Sequence, residues 1–203
     1  MGVIEAAVQK RLGEFSLDAA VSEDGFVCLA GRNGSGKTTF LRIVAGLTAP
    51  DGGHVKVGGR DVTGVPLEKR GVVMVTPKSS IPSMQVDAHL RWGAKLKGVE
   101  IDNERLKAVK ERLGLDFHGK VEKLSLGMRE RVSLATAFLS APAAILVDEA
   151  FANLHEREGF ISSYRKLSTD AGIDVVFSTQ DDSDGRLAEH LYIMEEGRAT
   201  KRF

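Results

Sequence analysis

The chain has 203 residues, 42% hydrophobic and 28% charged, and its 28 basic residues balance 28 acidic ones to zero net charge. That balance leaves no general basic surface, so no nucleic acid is expected as a partner, and no stretch approaches the roughly 18 apolar residues of a membrane span. The single cysteine, Cys28, excludes an intramolecular disulfide; with no signal-like apolar segment after the start, the expectation is a cytoplasmic protein that reaches a membrane only through a partner.

In chain order, the short apolar segment Val3 to Val8 predicts a strand. Phe15, Leu17, Ala19 and Val21 then alternate with Ser16, Asp18 and Ala20, the period of a half-buried strand. Ser22-Glu23-Asp24-Gly25 turns into Phe26-Val27-Cys28-Leu29-Ala30, a fully apolar run of strand length. Phe40, Leu41, Val44 and Leu47 recur at helical spacing until Ala49-Pro50-Asp51-Gly52-Gly53 stops them. Val55 and Val57, before Gly58-Gly59-Arg60-Asp61, predict a hairpin or short strand. Val72 to Val75 is a buried strand, ended by Pro77. From Pro82 to about Leu139 the pattern is helical throughout: Leu106, Val109 and Leu113 keep i, i+3, i+7 spacing, and Val132, Leu134, Ala135, Phe138 and Leu139 close the block. The run from Arg105 to Arg112 mixes in Glu111 and reads as a solvated face. Ala144 to Val147 is a buried strand, Phe160, Ile161, Tyr164 and Leu167 form a helix face, and Ile173 to Ser178 and Leu191 to Met194 are strands, the last followed by a turn at Glu195 to Arg198.

Between the apolar strand and the first helix lies Gly31-Arg32-Asn33-Gly34-Ser35-Gly36-Lys37-Thr38-Thr39, which fits the P-loop pattern G-x-x-x-x-G-K-[ST]. Phosphate oxygens must be approached by backbone N–H groups, so side chains are excluded where the phosphates sit, and the following helix must point its N-terminus at the same anion. Gly31, Asn33, Gly34, Ser35, Gly36, Lys37, Thr38 and Thr39 are the candidate nucleotide-binding residues, with Lys37 on the β- and γ-phosphates and the Thr38 hydroxyl on Mg²⁺. Downstream, the apolar strand Ile145 to Val147 runs into Asp148-Glu149. A carboxylate at the C-terminal edge of such a sheet stands where ligands sit. Asp148 is expected to support Mg²⁺ and Glu149 to act as general base toward water.

Leu124-Ser125-Leu126-Gly127-Met128-Arg129-Glu130-Arg131 opens a helix. Here the chain resembles the ATP-binding cassette (ABC) ATPases, whose signature reads L-S-G-G-Q-x-x-R: Leu124, Ser125, Gly127 and Arg131 match, and Leu126 and Met128 do not. The resemblance covers the whole order of P-loop, helical insertion, signature and Asp-Glu strand end. Gly59 to Thr63 and Glu68 to Val72 look like the importer branch, most of all its molybdate, tungstate and sulfate group, without that group's C-terminal regulatory domain. It implies an α/β fold: a P-loop NTPase core with a mostly parallel sheet, an N-terminal antiparallel β region and a helical insertion subdomain. This would be one ATP-binding domain over 1–203, with its core at 1–78 and 136–203 and the helical subdomain at about 79–135.

The resemblance also implies partners: a second cassette paired head to tail, so that Ser125 and Gly127 close over nucleotide held by the other P-loop, and a membrane permease docked on the helical subdomain at the inner face of the cell membrane. Phe15 is the candidate adenine-stacking residue, with Leu12 in a nearby slot, and Phe15 equally fits the core face of its strand. Trp92 and Phe117 are expected to pack or to face the permease; His118 and His190 show no metal spacing. Four family positions have changed together, at Pro77, Leu126, His155 and Gln180: the Gln after the strand Val72–Val75 is absent from Thr76-Pro77-Lys78, the signature departs at Leu126, the Asp of the loop after Asp-Glu is His155, and the His after Val175–Phe177 is Gln180. The Pro that normally follows Glu149 is Ala150. Gln180 can donate a hydrogen bond but carries no charge. The expectation is therefore a chain that binds ATP and hydrolyses it slowly or only with a partner, with an ABC-fold switch or assembly factor outside transport as the alternative.

Overall fold

The computed structural model describes residues 4–203. Strand β1 (Ile4–Leu12) forms a hairpin with β2 (Phe15–Glu23), and β3 (Phe26–Ala30) leads into helix α1 (Lys37–Ala45). Strands β4 (Gly52–Val57), β5 (Arg60–Asp61) and β6 (Val72–Val75) follow, then α2 (Val86–Leu96), α3 (Asn103–Arg112) and α4 (Leu126–Leu139). Strand β7 (Ala144–Asp148), α5 (Arg157–Asp170), β8 (Asp174–Thr179), β9 (His190–Glu195) and β10 (Arg198–Lys201) complete the order.

Two sheets result. The first is antiparallel, in the order β2-β1-β4-β5; the second is β10-β9-β3-β8-β7-β6, parallel except at β10. The fold is the expected α/β arrangement. The central strands β3, β7 and β8 are buried at every position and are apolar except at their ends, Asp148, Asp174, Ser178 and Thr179. Cys28, Val147 and Phe177 face one core with Phe151, Phe160, Tyr164 and the apolar residues of α2 and α4. Val27, Leu29, Leu146 and Val176 face the other, filled by α1, β1, β2 and β4. Cys28 is a buried packing residue, and burial pushes its thiol well above the usual range.

Two edges differ from the sequence reading. Val3 lies outside the described residues, and the first strand runs on past Val8 to Leu12, paired with β2 through a turn at Gly13 (φ 62°). Residues 9–12 bury little, so backbone pairing rather than an apolar face extends the strand. Strand β10 has no counterpart in the sequence reading, which ends on a turn at Glu195 to Arg198; its polar sequence Arg-Ala-Thr-Lys pairs with β9 along the edge of the sheet, where no burial pattern marks it.

The block between β6 and β7 is helical, as expected. Gly93 lets α2 close on α4, since a Cβ there would lie 3.2 Å from Ser140 Cβ and 3.3 Å from Thr136 Cγ2. The α3 stretch buries Leu106 and Val109 and leaves its charges outside, with Lys110 Nζ 2.7 Å from Asp87 Oδ1. Trp92 is partly exposed, Phe117 packs on the first core, His118 is exposed, and His190 lies 3.4 Å from Glu23.

Candidate nucleotide site

Strands β3, β8 and β7 lie side by side, parallel, with Ala30 opposite Thr179 and Asp148 opposite Ser178. Three segments far apart in sequence therefore leave the sheet at one edge: the loop after Ala30, the Asp148-Glu149 pair and the Ser178-Thr179-Gln180 turn. Gly31 N donates to Thr179 O at 3.2 Å, fixing the loop's start against β8.

The loop needs its outer two glycines for space. At Gly31 (φ 154°) a Cβ would lie 2.3 Å from Met194 O. At Gly36 (φ 107°) it would lie 2.9 Å from Leu17 Cδ1 and 3.0 Å from Phe15 Cζ. Gly36 is also the left-handed N-cap of α1, and no side chain occupies the exposed N–H groups there. Lys37 is buried and folds back on its own loop, Nζ donating to Gly31 O at 2.6 Å and Arg32 O at 3.0 Å. Burial pulls its ammonium below the ordinary lysine range, and the charges of Glu149 and Asp148 partly oppose this.

Asp148 is buried at the strand end and accepts two hydroxyls at one oxygen, Thr38 Oγ1 at 3.0 Å and Ser178 Oγ at 2.8 Å. Glu149 takes a left-handed backbone (φ 56°), a conformation that costs of order 1 kcal/mol for a residue with a Cβ, and its N–H donates to Ser178 Oγ at 3.1 Å. Gln180 Nε2 lies 3.2 Å from each Glu149 carboxylate oxygen. A cleft of about 340 Å³ opens over the loop, walled by Leu12, Phe15, Lys37, Thr38, Thr39 and Glu149 and floored by Asn33, Gly34 and Gly36. Phe15 is half-buried, lining the cleft while packing on the second core.

Ser125 and Gly127 stand apart from this cleft. Ser125 caps α4, its Oγ accepting from Met128 N at 3.3 Å. Gly127 lets α4 meet the loop after β7, where a Cβ would lie 2.5 Å from Asn153 O. The same contact is tied by Asn153 Nδ2 donating to Glu130 Oε1 at 2.8 Å, and Arg131 reaches His155 O. Burial raises the Glu130 carboxyl above its usual range.

Sequence reasoning missed three supports. Ser178 joins Asp148 to Glu149, and only the strand register brings it there. The turn after β9 backs the loop, with Gly197 N donating to Ser35 O at 3.1 Å. His89 on α2 is buried and hydrogen-bonded on both ring nitrogens; a lone histidine among apolar helix positions carried no signal of this.

The site fits a nucleoside triphosphate. Ser35 Oγ is buried without a hydrogen-bond partner among the described residues, inside a loop whose outer glycines have no room for side chains. Among the described residues no group of three or more His, Cys, Asp or Glu side chains could hold a metal. Thr38 with Asp148 instead offers two hard oxygen ligands, a set that suits Mg²⁺ carried in with phosphate and water.

Together the fold and the cleft define a P-loop nucleotide-binding domain. Residues 15–152 match the family described as ABC transporter, and the chain belongs to that family. It is 32% identical over 196 residues to the Fe(3+) ions import ATP-binding protein of Pasteurella multocida, covering 92% of this chain and 56% of the relative. It is 34% identical over 209 residues to the molybdenum import ATP-binding protein of Rhizobium etli, covering 97% and 58%, and 34% identical over 192 residues to the spermidine/putrescine import ATP-binding protein of Thermobifida fusca, covering 90% and 50%. The chain thus spans about half the length of the curated relatives it matches. The solved structure of an ATP-binding subunit of an ABC transporter superposes with a TM-score of 0.84 at 22% identity, over 98% of this chain and 89% of that one, a likeness of fold. No described helix is long and apolar enough to cross a membrane.

Proposed function

We propose that this chain is the ATP-binding subunit of an importer, one ATP-binding domain that takes MgATP in the cleft over Gly31–Thr39, pairs head to tail with a second cassette and drives a membrane permease docked on its helical unit at the inner face of the cell membrane. Lys37 exchanges its loop carbonyls for the β- and γ-phosphates, while the N–H groups of residues 33–39 and the unpartnered Ser35 hydroxyl supply further donors. Thr38 and Asp148 hold Mg²⁺, which when bound neutralises phosphate charge. Glu149 takes the proton of the attacking water, Phe15 stacks on the base, and Ser125 and Gly127 meet the nucleotide held by the partner cassette. An oxyanion cargo is supported by the importer-like stretches Gly59–Thr63 and Glu68–Val72 and by the molybdenum import relative.

Hydrolysis is slow or partner-dependent in this reading, and the observation that carries it is Gln180 bonded to both oxygens of Glu149. Those bonds turn the carboxylate toward Gln180 rather than toward a water, and a glutamine brings no positive charge to the γ-phosphate. The test is ATP turnover by the purified chain with Glu149→Gln as control. The expected result is ATP binding with turnover barely above that of the control. Rapid turnover that Glu149→Gln abolishes would remove the slow-hydrolysis reading, and rapid turnover that survives it would remove Glu149 as the base.

One feature favours a second reading, an ATP-dependent switch or assembly factor outside transport. Strand β6 ends at Val75 and is followed by Thr76-Pro77, and the next glutamine, Gln85, stands at the N-cap position of α2. Co-purification of a permease with the tagged chain decides for transport; its absence in membrane extracts decides for the switch.

A further inference from the structure

Residues 76–85 form a strap between the end of β6 and the start of α2. Its far half is pinned by backbone bonds to residues 119–122: Val121 N donates to Met84 O and Glu122 N to Pro82 O, both at 2.9 Å, and Gln85 bridges Lys120 antiparallel. Residues 121–124 then run straight into Ser125, the cap of α4. Its near half has only local bonds at Thr76 and Ser79. Between the halves, Ile81 N donates to the buried ring of His89 at Nε2, 3.1 Å away.

A backbone N–H can only donate, so Nε2 must carry a lone pair and the ring proton must sit on Nδ1. Nδ1 faces Thr136 Oγ1 at 2.8 Å, and that hydroxyl in turn donates to Val132 O at 2.8 Å. The bonds form one directed chain, Ile81 N–H to His89, His89 Nδ1–H to Thr136, Thr136 O–H to α4. We propose that His89 is the positioning residue of the strap, holding it to α2 and α4 only while its ring is neutral, so that uptake of one proton releases Ile81 and loosens the link between β6 and the Ser125 end of α4.

A second ring proton would sit on Nε2 and point at the Ile81 N–H, two donors face to face in a buried place. No described charge stands ready to compensate. On its own helix Asp87 pairs with Lys110, Arg91 bonds Ile101 O and Asn103, and Lys95 is exposed. On α4, Glu130 bonds Asn153 and Arg129 bonds Leu124 O and Glu122 O, while Ser133 and Ser140 are neutral; on the strap Lys78 is exposed. Burial accordingly holds the His89 ring below the ordinary histidine range. The closed strap is thus fully favoured above about pH 6.5 and loses stability as pH falls below it, because the open strap takes the proton first.

Amide hydrogen exchange on the nucleotide-free chain reads this directly. If opening returns His89 to its ordinary pKa, the opening equilibrium rises between pH 7.5 and 5.5, by at most about tenfold, and protection at Ile81 falls by the same factor after correction for intrinsic rates. Amides of β7 should keep theirs. His89→Gln places an uncharged acceptor near Ile81 and should abolish the pH response while retaining protection. Imidazole ¹⁵N spectra at pH 7.5 should show the Nδ1–H tautomer. An Nε2–H ring, an equal loss of protection in His89→Gln, or a loss shared with β7 would each overturn the proposal. The readout needs no ATP, so it stands or falls apart from the ATPase reading.

Discussion

Helices α1 and α4 both begin at a glycine-containing signature, and their N-termini behave in opposite ways. At α1 the cap is Gly36, no side chain covers the N–H groups, and the surrounding chain holds Lys37, Thr38 and Asp148 around the opening. At α4 the cap is Ser125, whose hydroxyl already accepts from Met128 N, and the neighbouring Leu126 is 47% exposed. An open, supported helix end is a complete anion site within one chain. A helix end that caps itself and faces outward gains a ligand only when something is brought to it. In the proposed reading, holding phosphate is a property of one chain, and closing over it is a property of two.

The largest expected effect would break or keep that contrast outright. Lys37→Met should weaken ATP binding by about 100-fold, roughly 2.7 kcal/mol, in a titration with a fluorescent nucleotide; Ser125→Ala in the same isolated chain should leave affinity nearly unchanged. Equal losses would mean that α4 contributes to the site without a partner. Next, Gly127→Ala should cost about 1–3 kcal/mol in urea unfolding, since the new Cβ meets a backbone carbonyl at Asn153 rather than open solvent. No loss would show that the α4 end has slack at its junction with the loop after β7. The smallest effect sharpens the comparison at Glu149: Gln180→His should raise ATP turnover about tenfold by freeing the carboxylate and offering the phosphate a donor that can be charged. No change would move the limit to the α4 end.

What was legible in the sequence follows the same division. The Gly31–Thr39 loop, its strand and its helix are contiguous, so spacing alone placed them, and Asp148-Glu149 announced itself as acid at the end of an apolar run. Ser178 sits in an ordinary strand and enters the site only because β8 lies between β3 and β7. Strand β10 and the polar end of β1 are made by pairing rather than burial, and pairing leaves no periodicity to read. His89 was invisible because its role depends on a loop eight residues upstream and a helix 47 residues downstream. Phe15 carried two readings in the sequence, a stacking surface or a core residue, and the structure places it where the cleft and the core meet.

The central position of β3 has a consequence for how the chain acquires its shape. Its hydrogen-bonded neighbours are β8 and β9, and the carboxylate that accepts from Gly25 N just before it belongs to Asp174, 149 residues away. The turn at Gly197 props the same loop from still further along. Contacts of such separation close large loops before any binding surface exists, which makes folding slow for a chain of this size. A nascent chain carries the whole phosphate-binding motif before β8 and β9 are made, yet the motif is not braced until they pair with β3. Nucleotide added during refolding should therefore leave the early phases untouched and act only on the last.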